Sequence, residues 1–173
     1  MSTPSAGTEL TTWRCKRFRL VGVGGTFDII HKGHETLLRK ALEIGEKVQI
    51  GVTTDPFVRR MKKPHKVQPY SVRVEEVRRF LQMENALERT EVVPIDDEYG
   101  TATTNPDMEA LVVSKEKLHV AMKINRVRQS SGLTQLKLIE VDMVLAEDQR
   151  PISASRIRRK EITRSGKVLG SQP

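Results

Sequence analysis

Val23-Gly24-Gly25-Thr26-Phe27-Asp28-Ile29-Ile30-His31-Lys32-Gly33-His34 decides how the rest of this chain is read. An apolar run, Leu20, Val21 and Val23, leads into it and reads as a buried β-strand. A helical pattern follows, with Leu37, Leu38, Ala41 and Leu42 on one face. The stretch is therefore a strand–loop–helix junction. Its glycines let the backbone approach a ligand, and the helix start offers N–H groups and a positive dipole end. Thr26 adds a hydroxyl donor; His31 and His34 add ring N–H groups that can become cationic near neutral pH. Gly25, Thr26, His31 and His34 are thus candidate ligands for phosphate oxygens. Neither G-x-x-x-x-G-K-[ST] nor G-x-G-x-x-G is present, which excludes the P-loop and the dinucleotide fingerprint.

The rest of the chain alternates strand and helix signals. Val48–Val52, Glu91–Ile95, Ala110–Val113 and Leu136–Leu145 read as further strands, and Pro94 argues against a central position for the third. A basic loop is expected from Asp55 to Pro69. Ser71 is a candidate cap for a helix with Val74, Val77, Phe80 and Leu81 on its face. A helix from Lys117 to Ser131 should turn Leu118, Ala121, Met122 and Val127 inward, with Gly132 as its stop. Ser153 or Ser155 caps a short basic helix near the end. Alternation of this kind implies an α/β fold: a Rossmann-like, doubly wound, mostly parallel five-stranded sheet with helices on both faces. Ligand loops then gather at the carboxyl ends of the strands.

The 173 residues suit one domain over residues 13–173, behind a tail at 1–12 that reads as disordered. No apolar run nears the ~20 residues of a membrane span, so no membrane partner is expected. Cys15 is the single cysteine, which excludes an intrachain disulfide and a cysteine metal cluster. A cytoplasmic, reducing setting fits. The net charge of +8 raises nucleic acid as a partner. The basic residues, however, crowd into Arg59–Arg79 and Arg150–Lys167, while Glu91–Glu109 carries six carboxylates and no base. With 4% aromatics there is little to stack single-stranded bases on. The pattern favours a small polyanion over nucleic acid.

Pro151-Ile152-Ser153-Ala154-Ser155-Arg156-Ile157-Arg158 is the second chemical segment. Two hydroxyls at a helix start with an arginine one turn in suit terminal phosphates. Together, G-T-F-D, H-x-G-H and I-S-x-S-x-x-R resemble the signatures of the HxGH nucleotidyltransferase superfamily. Within it the chain is most similar to the archaeal phosphopantetheine adenylyltransferase group. Further matching stretches are Ile50–Asp55, Lys63-Pro64, Gln68–Tyr70 with Arg73, Ala110–Ser114 and Ile124–Arg128. Lys160 departs from the glycine common in similar proteins.

The resemblance implies transfer of the adenylyl group of ATP to 4′-phosphopantetheine, giving dephospho-coenzyme A and pyrophosphate. The attack would be in line, with no covalent enzyme intermediate. His34 would donate to the α-phosphate in the transition state, Thr26 would bridge the two phosphates, and Lys63 or Lys62 would draw the anions together. On the ATP side stand Gly25, Thr26, His31, His34, Arg126, Ser153, Ser155 and Arg158; on the acceptor side Thr26, Phe27, Lys62 and Lys63. Arg126 is equally readable as an exposed helix arginine, Arg73 reads as structural, and Asp28 reads as a turn cap. His65 and His119 read as surface histidines. No protein metal site is expected, and Mg²⁺ would arrive on the ATP phosphates. A monomer is the expected state. Two alternatives remain: a relative acting on nicotinamide mononucleotide, FMN or glycerol 3-phosphate, and a non-catalytic basic RNA-binding protein.

Overall fold

The strand β1 (Phe18–Gly25) lies at the centre of a five-stranded sheet of order β3-β2-β1-β4-β5. It is flanked by β2 (Gly45–Thr53) and β4 (Ala110–Ser114), with β3 (Thr90–Ile95) and β5 (Lys137–Val141) at the edges. The structure is a computed structural model that describes residues 17–170. The tail expected at 1–12, and Cys15, lie outside the described residues. All four strand pairings are parallel; Val23, for instance, sits opposite both Ile50 and Val112. Parallel neighbours need crossovers, supplied by α1 (Lys32–Ile44), α3 (Tyr70–Met83) and α4 (Leu118–Ser130). Two short helices, α2 (Asp55–Arg60) and α5 (Ala154–Arg158), complete the fold.

The alternation of strand side chains makes two layers of core. Val21, Val23, Ile50, Ala110 and Val112 face Leu38, Ala41 and Leu42 of α1 and Val77, Phe80 and Leu81 of α3. Leu20, Leu111 and Val113 face the other way, against Val120, Ala121 and Ile124 of α4. The chain runs β1–β2–β3 to one side, then returns to β4 on the other side of β1. The reversal opens a crevice at the carboxyl ends of β1 and β4, where such sheets bind ligands. Pro94 fits because β3 is an edge strand. Among the described residues, no helix is long and apolar enough to cross a membrane.

Several local expectations are corrected. The α3 helix has Pro69 at its N-cap and no side-chain cap, so Ser71 does not cap it. The segment after β2 opens with the helix α2, capped by Thr54, instead of running as a loop to Pro69. The β5 strand covers half of the expected span, ending at Val141. On α4, Met122 and Val127 are exposed, at 50% and 39%. The inward positions go to Val120, Ala121, Ile124 and, against its charge, Arg128. The Arg128 guanidinium is fully buried and donates to the carbonyls of Thr134, Ala102, Asn105 and Met108. Satisfying those donors makes an arginine acceptable in the core and rotates the apolar stripe around the helix. Gly132 ends α4 as expected. At φ +75° it lets its own N–H reach the Gln129 carbonyl and that of Leu133 reach Arg128.

Candidate active site

The loop after β1 is held in a shape it would not adopt alone. Phe27 and Ile29 both have φ of +51°, a left-handed conformation that is costly for a bulky or β-branched residue. Side chains from distant segments hold it. Gln68 Oε1 accepts from the Ile29 amide at 3.1 Å, and Glu76 accepts from that of Ile30 at 2.9 Å. Arg73, fully buried, donates to the carbonyls of Thr26, Thr53 and Gln68 and to Asp55. One guanidinium thus ties the end of β1 to the end of β2 and the start of α2, as its structural reading requires.

His31 caps α1, its Nδ1 accepting from the Gly33 amide at 3.1 Å. The preceding amide, that of Lys32, is taken by the Arg164 carbonyl at 3.0 Å. These two first-turn N–H groups are therefore satisfied internally, which leaves phosphate recognition chiefly to side chains. His34 stacks on His31 with ring centroids 3.9 Å apart. Gly33 makes room for that stack, since a Cβ there would come within 3.0 Å of the His31 ring. Burial pushes His31 down to about 4, with the Arg164 charge adding to the effect. Burial and the neighbouring His31 push His34 down to about 3. Both rings are accordingly neutral at pH 7, correcting the expectation of imidazolium near neutrality. Among the described residues, His34 Nδ1 is buried without a hydrogen-bond partner. An unpaired buried polar atom costs ~1–3 kcal/mol, and the Ile29 backbone is the hydrogen-bonding group felt by this ring.

Lys63 separates from Lys62 here. Lys63 Nζ donates to Thr26 Oγ1 at 3.0 Å. Burial lowers its pKa, and Lys117, Arg73 and Arg158 add to that while Asp28 opposes it. Lys62 is exposed, at φ +48°, and faces a different cavity. Thr26 and Lys63 border a cavity of about 350 Å³ between the sheet and α4. Its walls are mainly apolar, including Met108, Val113, Val120 and Ile124. Gln49, Thr101, Glu98 and Lys117 supply scattered polar groups.

Opposite Lys63 lies the start of α5. Ser153 is its cap, accepting from the Arg156 amide at 3.3 Å, which settles the choice between the two serines. Ser155 Oγ is 3.0 Å from His65 Nδ1. Arg158 holds both oxygens of Asp28, one of them at 2.9 Å. Burial pushes the Asp28 carboxyl up, but Arg158 and the Gln68 amide outweigh it and leave Asp28 below the usual range. His65 Nε2 lies 3.6 Å from Asp28 Oδ2. Burial lowers the His65 pKa, and the Arg158 charge adds to this against Asp28.

The fold links Thr26 to Lys63, joins Arg158, His65 and Ser155 through Asp28, and stacks His34 on His31; of the expected site residues, Gly25, Thr26 and Lys63 line the apolar cavity. Phe27 is fully buried in the core beside His34 and lines neither cavity. Arg126 is exposed on α4 and also lines neither. Asp28 does not cap its own turn; it joins three segments. His65 is no surface histidine, because it couples Asp28 to Ser155. Its sequence signal is confined to its place between Lys63 and Gln68, two residues of the matching stretch.

The sequence pattern of the cytidylyltransferase-like family matches residues 23–160. A phosphopantetheine adenylyltransferase of Methanopyrus kandleri is 49% identical over 142 residues, 82% of this chain and 90% of that protein. One from Methanothermobacter thermautotrophicus is 44% identical over 154 residues, 89% and 92% of the two chains. Among solved structures, a protein of unknown function from Archaeoglobus fulgidus superposes with TM-score 0.64 at 35% identity. That superposition covers 70% of this chain and 88% of the other.

Proposed function

The chain belongs to the cytidylyltransferase-like family, and on that premise we propose that it transfers the adenylyl group of ATP to 4′-phosphopantetheine in coenzyme A biosynthesis. The observation that carries the reading is the contact of Lys63 with Thr26 at the mouth of the apolar 350 Å³ cavity. A cation and a hydroxyl there can hold an acceptor phosphate. The cavity behind them, mainly apolar with scattered polar groups, suits a long, uncharged arm. Glycerol 3-phosphate would leave most of that space empty.

The nucleophile is a phosphate oxygen, with a second pKa of about 6, so it is ionised at pH 7 without help. No general base is needed, consistent with two histidines held neutral. Catalysis reduces to aligning two anions and stabilising charge on the α-phosphate. Lys63 and Thr26 draw the acceptor phosphate to the crevice. The neutral His34 ring donates to the α-phosphate oxygens as charge grows there. Ser153, Ser155 and Arg158 receive the leaving pyrophosphate at the α5 start, and His31 holds the His34 ring in place by stacking. Pyrophosphate leaves as the new phosphoanhydride bond forms, and no bond to the protein is made.

Mg²⁺ would ride on the triphosphate. Asp28 is committed to Arg158, His65 and the Gln68 amide, which leaves it unavailable to the ion. The ion would offset phosphate charge. A cytoplasmic location follows from the substrates. The test is pyrophosphate release from ATP against a panel of acceptors. Turnover with 4′-phosphopantetheine far above that with nicotinamide mononucleotide, FMN or glycerol 3-phosphate is expected. Preference for any of the others overturns the acceptor assignment.

A further inference from the structure

A second cavity, of about 340 Å³, lies on the outer side of the segment joining α2 to α3. Four cations line it: Arg59 from α2, then Lys62, Lys63 and Lys66, with His65 between them. Asp55 is the sole carboxylate in the lining among the described residues. Its Oδ1 is already occupied by the Arg73 guanidinium at 2.9 Å and the Tyr70 amide at 2.8 Å. Among the described residues the Lys62 and Lys66 side chains have no ion-pair or hydrogen-bond partner, and Arg59 makes no salt bridge, although its charge reaches Asp55. Several surface arginines elsewhere do find acids: Arg19 pairs with Glu109, Arg39 with Glu84 and Arg159 with Glu161. Unpaired cations gathered around a concavity repel one another, and an anion relieves that repulsion.

The neighbourhood identifies the kind of anion. Lys63 lines this cavity and the substrate cavity alike. His65 lines it too, and through Nδ1 it touches Ser155 Oγ at 3.0 Å, at the α5 start. The basic cavity thus adjoins the end of the crevice where the leaving group would be released. No Phe, Tyr or Trp lines it, and the His65 ring is already engaged with Ser155 and Asp28, so it has little platform for stacking a base. Its cations are spread over one short helix and one connection instead of a long stripe, which suits a compact, multiply charged ion.

We infer that this cavity is a second anion site, separate from the substrate crevice, that takes inorganic pyrophosphate through Arg59, Lys62 and Lys66. The inference rests on the proposed reaction for the source of the ion, whereas the site itself rests on its own cations. Lys63 and His65 form the passage between the two. Pyrophosphate released at Ser155 and Arg158 has a cationic station to move to, one short step outward. Bound there, it keeps the crevice charged against a second turnover, so the enzyme is inhibited by pyrophosphate without competition from ATP. Free phosphate carries the same chemistry with fewer charges and binds more weakly.

The double variant Arg59→Ala/Lys66→Ala tests this, since neither residue belongs to the crevice and both are at the surface. Calorimetry is run with pyrophosphate on the whole protein while a non-hydrolysable ATP analogue saturates the crevice. Wild type binds one further pyrophosphate per chain. The variant, with an unchanged melting temperature, binds it about tenfold more weakly, as expected for two solvent-open charge contacts. Inorganic phosphate as a second titrant separates the two sources of the same chemistry by their relative affinity. Unchanged pyrophosphate affinity in the variant overturns the site, as does absence of any binding to the saturated wild type. Loss of binding to a single-stranded oligonucleotide with pyrophosphate binding intact overturns it in favour of nucleic acid. All these readings stand whatever acceptor the panel assay selects, so failure of the acceptor assignment is seen separately.

Discussion

Arg158 and Asp28 come from positions 130 residues apart in sequence and form a two-oxygen ion pair inside the crevice. The pair joins the last helix to the loop that carries the histidines. It also gives Arg158 a partner that a bound triphosphate has to share. Asp28 is 3% exposed, so its charge is felt strongly at the guanidinium.

Asp28→Asn and Arg158→Ala should move ATP binding in opposite directions. The asparagine keeps an acceptor for the Gln68 amide but removes the charge that offsets Arg158. The KM for ATP should fall, and pyrophosphate inhibition should strengthen. Removing Arg158 should raise the KM for ATP about tenfold, in line with loss of a charged hydrogen bond. Asp28→Asn also costs stability, up to ~3 kcal/mol for a broken buried pair. Steady-state kinetics together with thermal melts check both; a rise in KM for both variants would mean Asp28 serves only to place the arginine.

His34→Ala should lower kcat by ~10²–10³ while the dissociation constant for ATP changes little. The reason is a buried ring held neutral against His31, near enough to Lys63 to feel its charge. Single-turnover rates and equilibrium ATP binding separate the two quantities. Lost ATP affinity at near-normal kcat would make His34 a ground-state ligand.

Stability should fall as pH drops from about 6.5 toward 4. The sign follows from the two histidines, whose folded values lie near 4 and 3, below the ordinary 6.5. In that window the unfolded chain takes up protons that the folded chain refuses, so unfolding gains. The slope is roughly 1 kcal/mol per pH unit for each ring. Below it, carboxylates take over: Arg150 holds Asp148 down at about 2, so its contribution is present above its ordinary 3.8 and lost as pH falls toward 2. Denaturant melts between pH 7 and 4 should show the first slope, and His34→Asn should flatten it.

Lys63→Ala and Lys62→Ala should not be equivalent. Lys63 contacts Thr26, whereas Lys62 is turned to the outer cavity. Lys63→Ala should lower kcat/KM for phosphopantetheine by about a hundredfold, the scale of a lost charge-stabilising contact. Lys62→Ala should stay within about threefold, as for a solvent-screened charge. Equal losses would place both in the crevice.

Val113→Phe should narrow the apolar cavity from the β4 side. The KM for phosphopantetheine should rise about tenfold, since the arm loses roughly a methylene or two of buried contact, and ATP affinity should hold. An unchanged acceptor KM with weakened ATP binding would assign the cavity to the nucleotide.

How much of this was legible in the chain is seen residue by residue. Gly24–His34 stated its strand–loop–helix form, because the apolar spacing on either side is local and the glycines mark the turn. Alternating apolar periods gave the layered parallel sheet, and Gly132 gave the helix stop through its own backbone freedom. Pro94 signalled an edge because a missing N–H has only one tolerable place. These follow from forces that act within a few residues.

The partners across the crevice were decided by tertiary structure alone. Arg128 reads as a surface cation, yet it lies on the buried face of α4 because the nearby Thr134 carbonyl and three distant ones converge on it. His65 reads as one more polar residue in a basic segment, yet the fold places it between Asp28 and Ser155. Lys62 and Lys63 are indistinguishable by type, and only the left-handed turn at Lys62 sends one to Thr26 and the other outward. The sequence determines local conformation and the residue types available for chemistry. Which charges meet, and which histidines lose their protons, depends on burial and on separations across the chain that exist only once the sheet has closed.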